Sequence, residues 1–174
     1  MPQLKALMKR DVQARDIGRS IGRPADILVD PTNHQVSLIV MTEGAIPELS
    51  VVIPAEAIAS FDVDALSIAS LTAVHLAVHD RTLLSKLEGG LKLRRRSVFT
   101  AEGRRLGRID GIEVDAQGGV VTYRVRKPRF GLVRPRLELK PSEVSGLGAE
   151  FAVADPEQTP TDQPESSDAK ASAP

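Results

Sequence analysis

The chain has 174 residues, 23 basic and 23 acidic side chains, no Cys or Trp, one Tyr and four Phe. That length makes one ordinary domain or two small ones. Without cysteine there are no disulfides, thiolate zinc sites or cysteine nucleophiles, and so few aromatics argue against a stacking platform for single-stranded bases. No apolar run approaches the ~20 residues of a membrane-spanning helix. The N-terminal stretch MPQLKALMKRD has neither a long apolar core nor a small-residue cleavage site, so the expectation is a cytoplasmic protein with no membrane span. The zero net charge hides three blocks. Residues 1–90 carry 8 basic and 11 acidic side chains, residues 91–147 carry 14 and 6, and residues 148–174 carry 1 and 6.

In chain order, Gly18-Arg19-Ser20-Ile21-Gly22-Arg23 marks a turn, its second glycine suited to a sharp strand bend. Strand-forming residues then run to Val29-Asp30, and Asp30-Pro31-Thr32-Asn33-His34 supplies hairpin chemistry before Val36–Val40. Ser50–Ile53 predicts a short strand, followed by Pro54-Ala55-Glu56 as one helical turn opened by proline. Residues 73–79 alternate as a strand with Val74, Leu76 and Val78 on one face, although the same letters from Ser70 also permit a helix. Asp80 is placed to cap a brief helix through Leu87.

Shifted by 85 residues, the chain meets itself without a gap from Gly18–Val40 to Gly103–Val125. Gly18 and Gly22 fall on Gly103 and Gly107, Ile27, Val29 and Asp30 on Ile112, Val114 and Asp115, and Val36 and Val40 on Val121 and Val125. The turn between the second pair of strands is Asp115-Ala116-Gln117-Gly118-Gly119. A slip of two brings Pro54-Ala55-Glu56 onto Pro141-Ser142-Glu143, with Arg136–Lys140 and Glu150–Val153 as the later strands. The expected organisation is a first module over 1–88, a linker over 89–92, a second module over 93–154 and a disordered acidic tail, rich in Pro and Ser, over 155–174.

This repeated order of Gly-Arg-x-x-Gly-Arg turn, strand ending in Val-Asp, hairpin, Val-rich strand and Pro-x-Glu resembles the PRC-barrel family. That family is named for the cytoplasmic domain of the photosynthetic reaction-centre H subunit, and includes the C-terminal domain of the bacterial ribosome maturation factor. The resemblance implies a mainly β chain: two tandem small PRC-like barrels with short helical turns, serving as interaction modules with no catalytic residues to carry over. The chain lacks the membrane helix of the first relative and the separate N-terminal domain of the second, so neither specific function transfers.

The residues offer little chemistry. His75 and His79 beside Asp80 would share a helix face as metal ligands, but on a strand they stand about 13 Å apart. His34 falls in a turn and is expected to be solvated. No serine sits in a Gly-x-Ser-x-Gly elbow, and Gly18-x-x-x-Gly22 is no dinucleotide fingerprint. No catalytic, cofactor or metal residue is assigned. Gly18, Gly22, Gly103 and Gly107 are expected to be structural turn positions, and Asp30 and Asp115 to bond turn backbone. What remains is basic. Arg94, Arg95 and Arg96 precede the second module, and Arg126, Lys127, Arg129, Phe130, Arg134 and Arg136 surround its hairpin loop, with Arg124, Arg126 and Arg136 on one face. The leading expectation is a non-enzymatic adaptor that contacts an unidentified protein partner through these residues, with no oligomeric state specified. The alternative is an RNA-binding or ribosome-assembly factor, RNA or another polyanion meeting the same charges.

Overall fold

The computed structural model describes residues 1–61, 64–90, 92, 96–128, 135–148 and 151–155. The chain is mainly β with short helices. It opens with a four-residue helix, α1 (Leu4–Leu7), followed by β1 (Val12–Ala14), β2 (Arg19–Gly22), β3 (Asp26–Asp30) and β4 (Gln35–Thr42). Next come β5 (Val51–Pro54), β6 (Leu66–Ile68), the two-residue β7 (His75–Leu76) and helix α2 (Arg81–Gly89). The second half contains β8 (Ser97–Phe99), β9 (Arg105–Val114), β10 (Val120–Arg126), β11 (Arg136–Leu139), β12 (Val144–Leu147) and β13 (Phe151–Ala154). These strands form sheets of order β2-β1-β6, β3-β4-β5-β7 and β11-β10-β9-β8-β13-β12. No helix is long and apolar enough to cross a membrane among the described residues. The tail over 156–174 lies outside them.

Strand pairing in the two halves runs in matching register. β1 and β6 are parallel with Val12 opposite Leu66, and β8 and β13 are parallel with Ser97 opposite Phe151, each partner 85 residues further on. Ile58 bridges Ile68, and Val144 pairs Ala154. After the hairpins the correspondence slips. Val29 pairs Val36 but Val114 pairs Val120, so the second loop is one residue shorter and Val36 takes the place of Val120, not Val121. The first hairpin keeps its turn through Asp30 Oδ1, which accepts from Thr32 N at 2.8 Å; in the second, Asp115 Oδ1 accepts from Gln117 N and Gly119 N at 2.9 and 2.8 Å.

Gly18, Gly22, Gly103 and Gly107 all have positive φ. At Gly107 a side chain is also excluded by space, because a Cβ would stand 2.3 Å from the Arg126 carbonyl oxygen. β9 therefore runs through this bend unbroken, and the second half forms one continuous sheet. In the first half Pro24 follows the equivalent bend, where Ile109 stands in the second; lacking an N–H, it interrupts the ladder and splits β2 from β3.

The segment 71–89 departs from expectation. Leu71–Ala73 and Ala77–His79 are 3₁₀ turns, leaving only His75–Leu76 paired as strand. Ala77 is buried while Leu76 and Val78 are exposed, the reverse of the apolar face expected from alternation. The strand that matches β13 is β6, whose three residues carry too little pattern to stand out. Asp80 does cap α2, its Oδ1 accepting from Thr82 N at 2.7 Å and Leu83 N at 3.3 Å. Leu83, with Leu84 and Leu87 partly buried beside it, seals a small separate core of Leu28, Leu38, Val40, Val52 and Ala77 on the outer face of the four-stranded sheet. Gly89, expected in the linker, closes the helix. Lys92 then ties the chain back to Glu43 and, at 3.6 Å, to Asp26, and the Glu43 hydrogen bond pushes the Lys92 pKa upward.

The main core runs through both halves, from Leu7, Val12, Ile39, Ile53 and Phe61 to Ile109, Ile112, Tyr123, Val125 and Leu139. Backbone bonds stitch the seam. The tip of the β9–β10 hairpin lies along the first half, with Val36 N donating to Gly118 O (2.8 Å), Val120 N to His34 O (2.8 Å) and Phe61 N to Ala116 O (3.0 Å). Val114 N donates to Pro2 O at 3.1 Å. His34, expected in solvent, instead shares a 2.7 Å hydrogen bond between its Nδ1 and the hydroxyl of the fully buried Tyr123. Its backbone is left-handed, with φ +55°. Burial pushes the His34 pKa below its ordinary value against an opposing field from Asp30, and burial pushes that of Tyr123 up.

Two outcomes are expected. Gly118 combines a φ of +87° with a would-be Cβ 2.8 Å from the Phe61 ring, so Gly118→Ala should lower the unfolding free energy in urea by about 2–4 kcal/mol; an unchanged midpoint would mean the tip is not seated. Because folding lowers the His34 pKa, the unfolded chain takes up the proton first. The stability His34 contributes is full above about pH 6.5 and falls as the pH drops below it. His34→Asn, which tolerates the left-handed backbone, should remove that dependence between pH 5 and 7, read by urea unfolding with the single tyrosine as fluorophore.

Candidate partner-binding face

The outer face sealed by α2 in the first half has an open counterpart in the second. Leu28 opposite Leu38 and Val40 opposite Val52 correspond to Glu113 opposite Thr122 and Arg124 opposite Glu138. Four buried aliphatic positions are thus replaced by three charges and a threonine. Arg124 lies across from Gly111 on β9, its aliphatic stem packed over that position. Its Nη2 bonds Glu113, and its Nε lies 3.4 Å from Glu138 Oε1, an ion pair without hydrogen-bond geometry. Arg126 Nη2 bonds Asp110 Oδ2 at 2.6 Å.

Beyond these pairs, three arginines form a row across the sheet. Arg126 on β10 stands directly opposite Arg108 on β9 and Arg136 on β11. Cross-strand partners share a face with Cβ atoms about 5 Å apart, and like charges so placed repel. All three are exposed. Arg126 has Asp110; among the described residues Arg108 and Arg136 have neither an ion pair nor a side-chain hydrogen bond. Gly107 creates this juxtaposition by letting β9 close against the Arg126 backbone.

Of the basic residues expected to form a site, the structure brings Arg126 and Arg136 together, with exposed Lys127 next in the chain, its N–H bonded to Pro135 O at 3.1 Å. Arg96 lies beside the row: its carbonyl accepts from Ile109 N at 2.8 Å and its Nε donates to the Lys92 carbonyl at 3.1 Å. Arg94, Arg95, Arg129, Phe130 and Arg134 lie outside the described residues. Arg124 shares the face, as expected, but is held by carboxylates on either side. Arg108 is the residue that sequence reasoning missed, since only strand register places it next to Arg126. No cluster of three or more potential metal ligands occurs among the described residues, where His75 sits in β7 and His79 in a 3₁₀ turn.

No protein-family model matches the chain, and no curated protein matches it significantly.

Replacing Arg136 with threonine should leave the fold intact and raise its stability by roughly 0.2–1 kcal/mol at low salt, because one like-charge neighbour disappears. The gain should vanish by about 0.5 M salt. A loss of stability at every ionic strength would show that Arg136 is held by an attractive contact.

Proposed function

We propose that this chain is a cytoplasmic, non-enzymatic adaptor of the PRC-barrel kind, two tandem modules of which the second binds a protein partner. Support for the duplicated module comes from the matched strand registers and from the four glycines at equivalent bends.

The observation that carries the functional reading is the mixed sign of the open face. Its arginines alternate with Asp110, Glu113 and Glu138, at 2.6 Å in the case of Arg126 and Asp110. A nucleic-acid backbone is uniformly negative and would meet these carboxylates as well as the arginines. A protein surface can offer both signs in register. The arginine row favours the second reading, an RNA-binding or ribosome-assembly factor, and the two separate on salt dependence.

A photo-crosslinker placed at Thr122, within the face, tests this in nuclease-treated lysate. A single protein should be captured saturably and lost with Arg108→Glu plus Arg136→Glu, while RNA affinity stays weaker than about 10⁻⁶ M at physiological salt. Submicromolar RNA binding that weakens steeply with salt, with a slope flattened by the same substitutions, would overturn the adaptor reading.

A further inference from the structure

In the first half, β5 is an interior strand: β4 flanks it on one side and β7 on the other, with Val51 opposite Leu76 and Val52 opposite His75. Residues 71–89 supply both covers, β7 at the edge and α2 on the face. The second half has no counterpart of either among its described residues. There β11, which occupies the place of β5, is the terminal strand of its sheet. The uncovered edge and the charged face meet at Arg136, the outer member of the arginine row.

We infer that the β11 edge receives an extended acidic segment of the partner protein as an added strand. This inference rests on the adaptor reading. A new strand would make main-chain bonds to β11 and continue the cross-strand ladder, as β7 does for β5. Alternation along β11 sets the preferred sequence. Arg136 and Glu138 are exposed on the charged face, while Leu139 is buried and Leu137 half-buried towards the core. The added strand therefore places a carboxylate opposite Arg136, where it relieves the repulsion along Arg108–Arg126–Arg136. Two residues away it places an uncharged or basic group opposite Glu138. Between them an apolar side chain extends the cover over Leu137. The occupant is inferred to be an acidic partner because the row sets three guanidinium groups against the single carboxylate of Asp110. A second copy, which would set its Glu138 opposite Arg136 in an antiparallel pair, is distinguished by the concentration dependence of the protection.

The probe is a capped octapeptide repeating Glu-Val-Thr-Val twice, added to the full-length chain and followed by amide hydrogen exchange at residues 136–139. Outward-facing amides of β11 should slow tenfold or more. The effect should disappear with a Lys-Val-Thr-Val repeat, with a peptide N-methylated on its pairing edge, and with Arg136→Glu. Unchanged exchange at 136–139 would overturn the inference. If the peptide shifts the Arg108 and Arg126 side-chain resonances without slowing those amides, strand addition fails while the docking face stands. If no peptide perturbs the face and the crosslink at Thr122 also captures nothing, the adaptor reading fails with it. Protection that is already present without peptide would overturn the partner assignment in either of two forms. Loss on neutralising Glu157, Asp162, Glu165 and Asp168 would assign the edge to this chain's own C-terminal segment, and growth with protein concentration alone would assign it to a second copy.

Discussion

The hairpin tip Asp115–Gly119, laid along the first half, is the contact on which the rest of the molecule depends. Small β modules of sixty to ninety residues bury little apolar surface on their own. Here the bonds from Val36 to Gly118 and from Val120 to His34 align the two halves, so that Phe61, Val36 and Ile39 pack in one core with Ile112, Val120 and Tyr123. Gly118 permits this because it has no side chain beneath the Phe61 ring. The buried Tyr123 hydroxyl, costly without a partner, is satisfied from the opposite half by His34. Seating the tip therefore fixes both the orientation of the halves and which faces remain outside.

With the inner faces committed to that shared core, the outer faces are where the halves diverge. Strands paired in matching register are finished in two ways. The first half keeps aliphatic residues outside and spends residues 71–89 covering them. The second half places charges at three of the same positions, where Glu113 and Arg124 are half-buried and Glu138 is exposed, with no helix over them among the described residues. Within those charges the geometry separates an internally paired part, Glu113–Arg124–Glu138, from a part with excess positive charge, the row ending at Arg136. The unbalanced part lies at the open strand edge, and that coincidence makes the second half the place to look for a partner.

Much of this was legible in the chain. Hairpins centred on Asp30 and Asp115, the glycine pairs and the Asp80 cap are local chemistry, written in adjacent residues. Non-local features were not. The Leu66–Ile68 strand is too short to show a period, and the clean alternation over 73–79 was overridden because Ala77, not Val78, fits beneath α2. His34 looked like a solvated turn residue because its partner is 89 positions away. The basic segment was visible as composition, but whether its arginines stand alone or among carboxylates depends on register, and register also brought in Arg108. The family resemblance rests on the repeated motifs.

Native-state hydrogen exchange at the amides of Val36 and Val120 tests the single shared core most directly. Both donate across the seam. If the halves stand or fall together, these two amides exchange only through global unfolding, with the same opening free energy and denaturant dependence as the amides of Ile39 and Tyr123. Exchange through a partial opening, at least about 2 kcal/mol easier and with a small denaturant slope, would show two modules that merely touch.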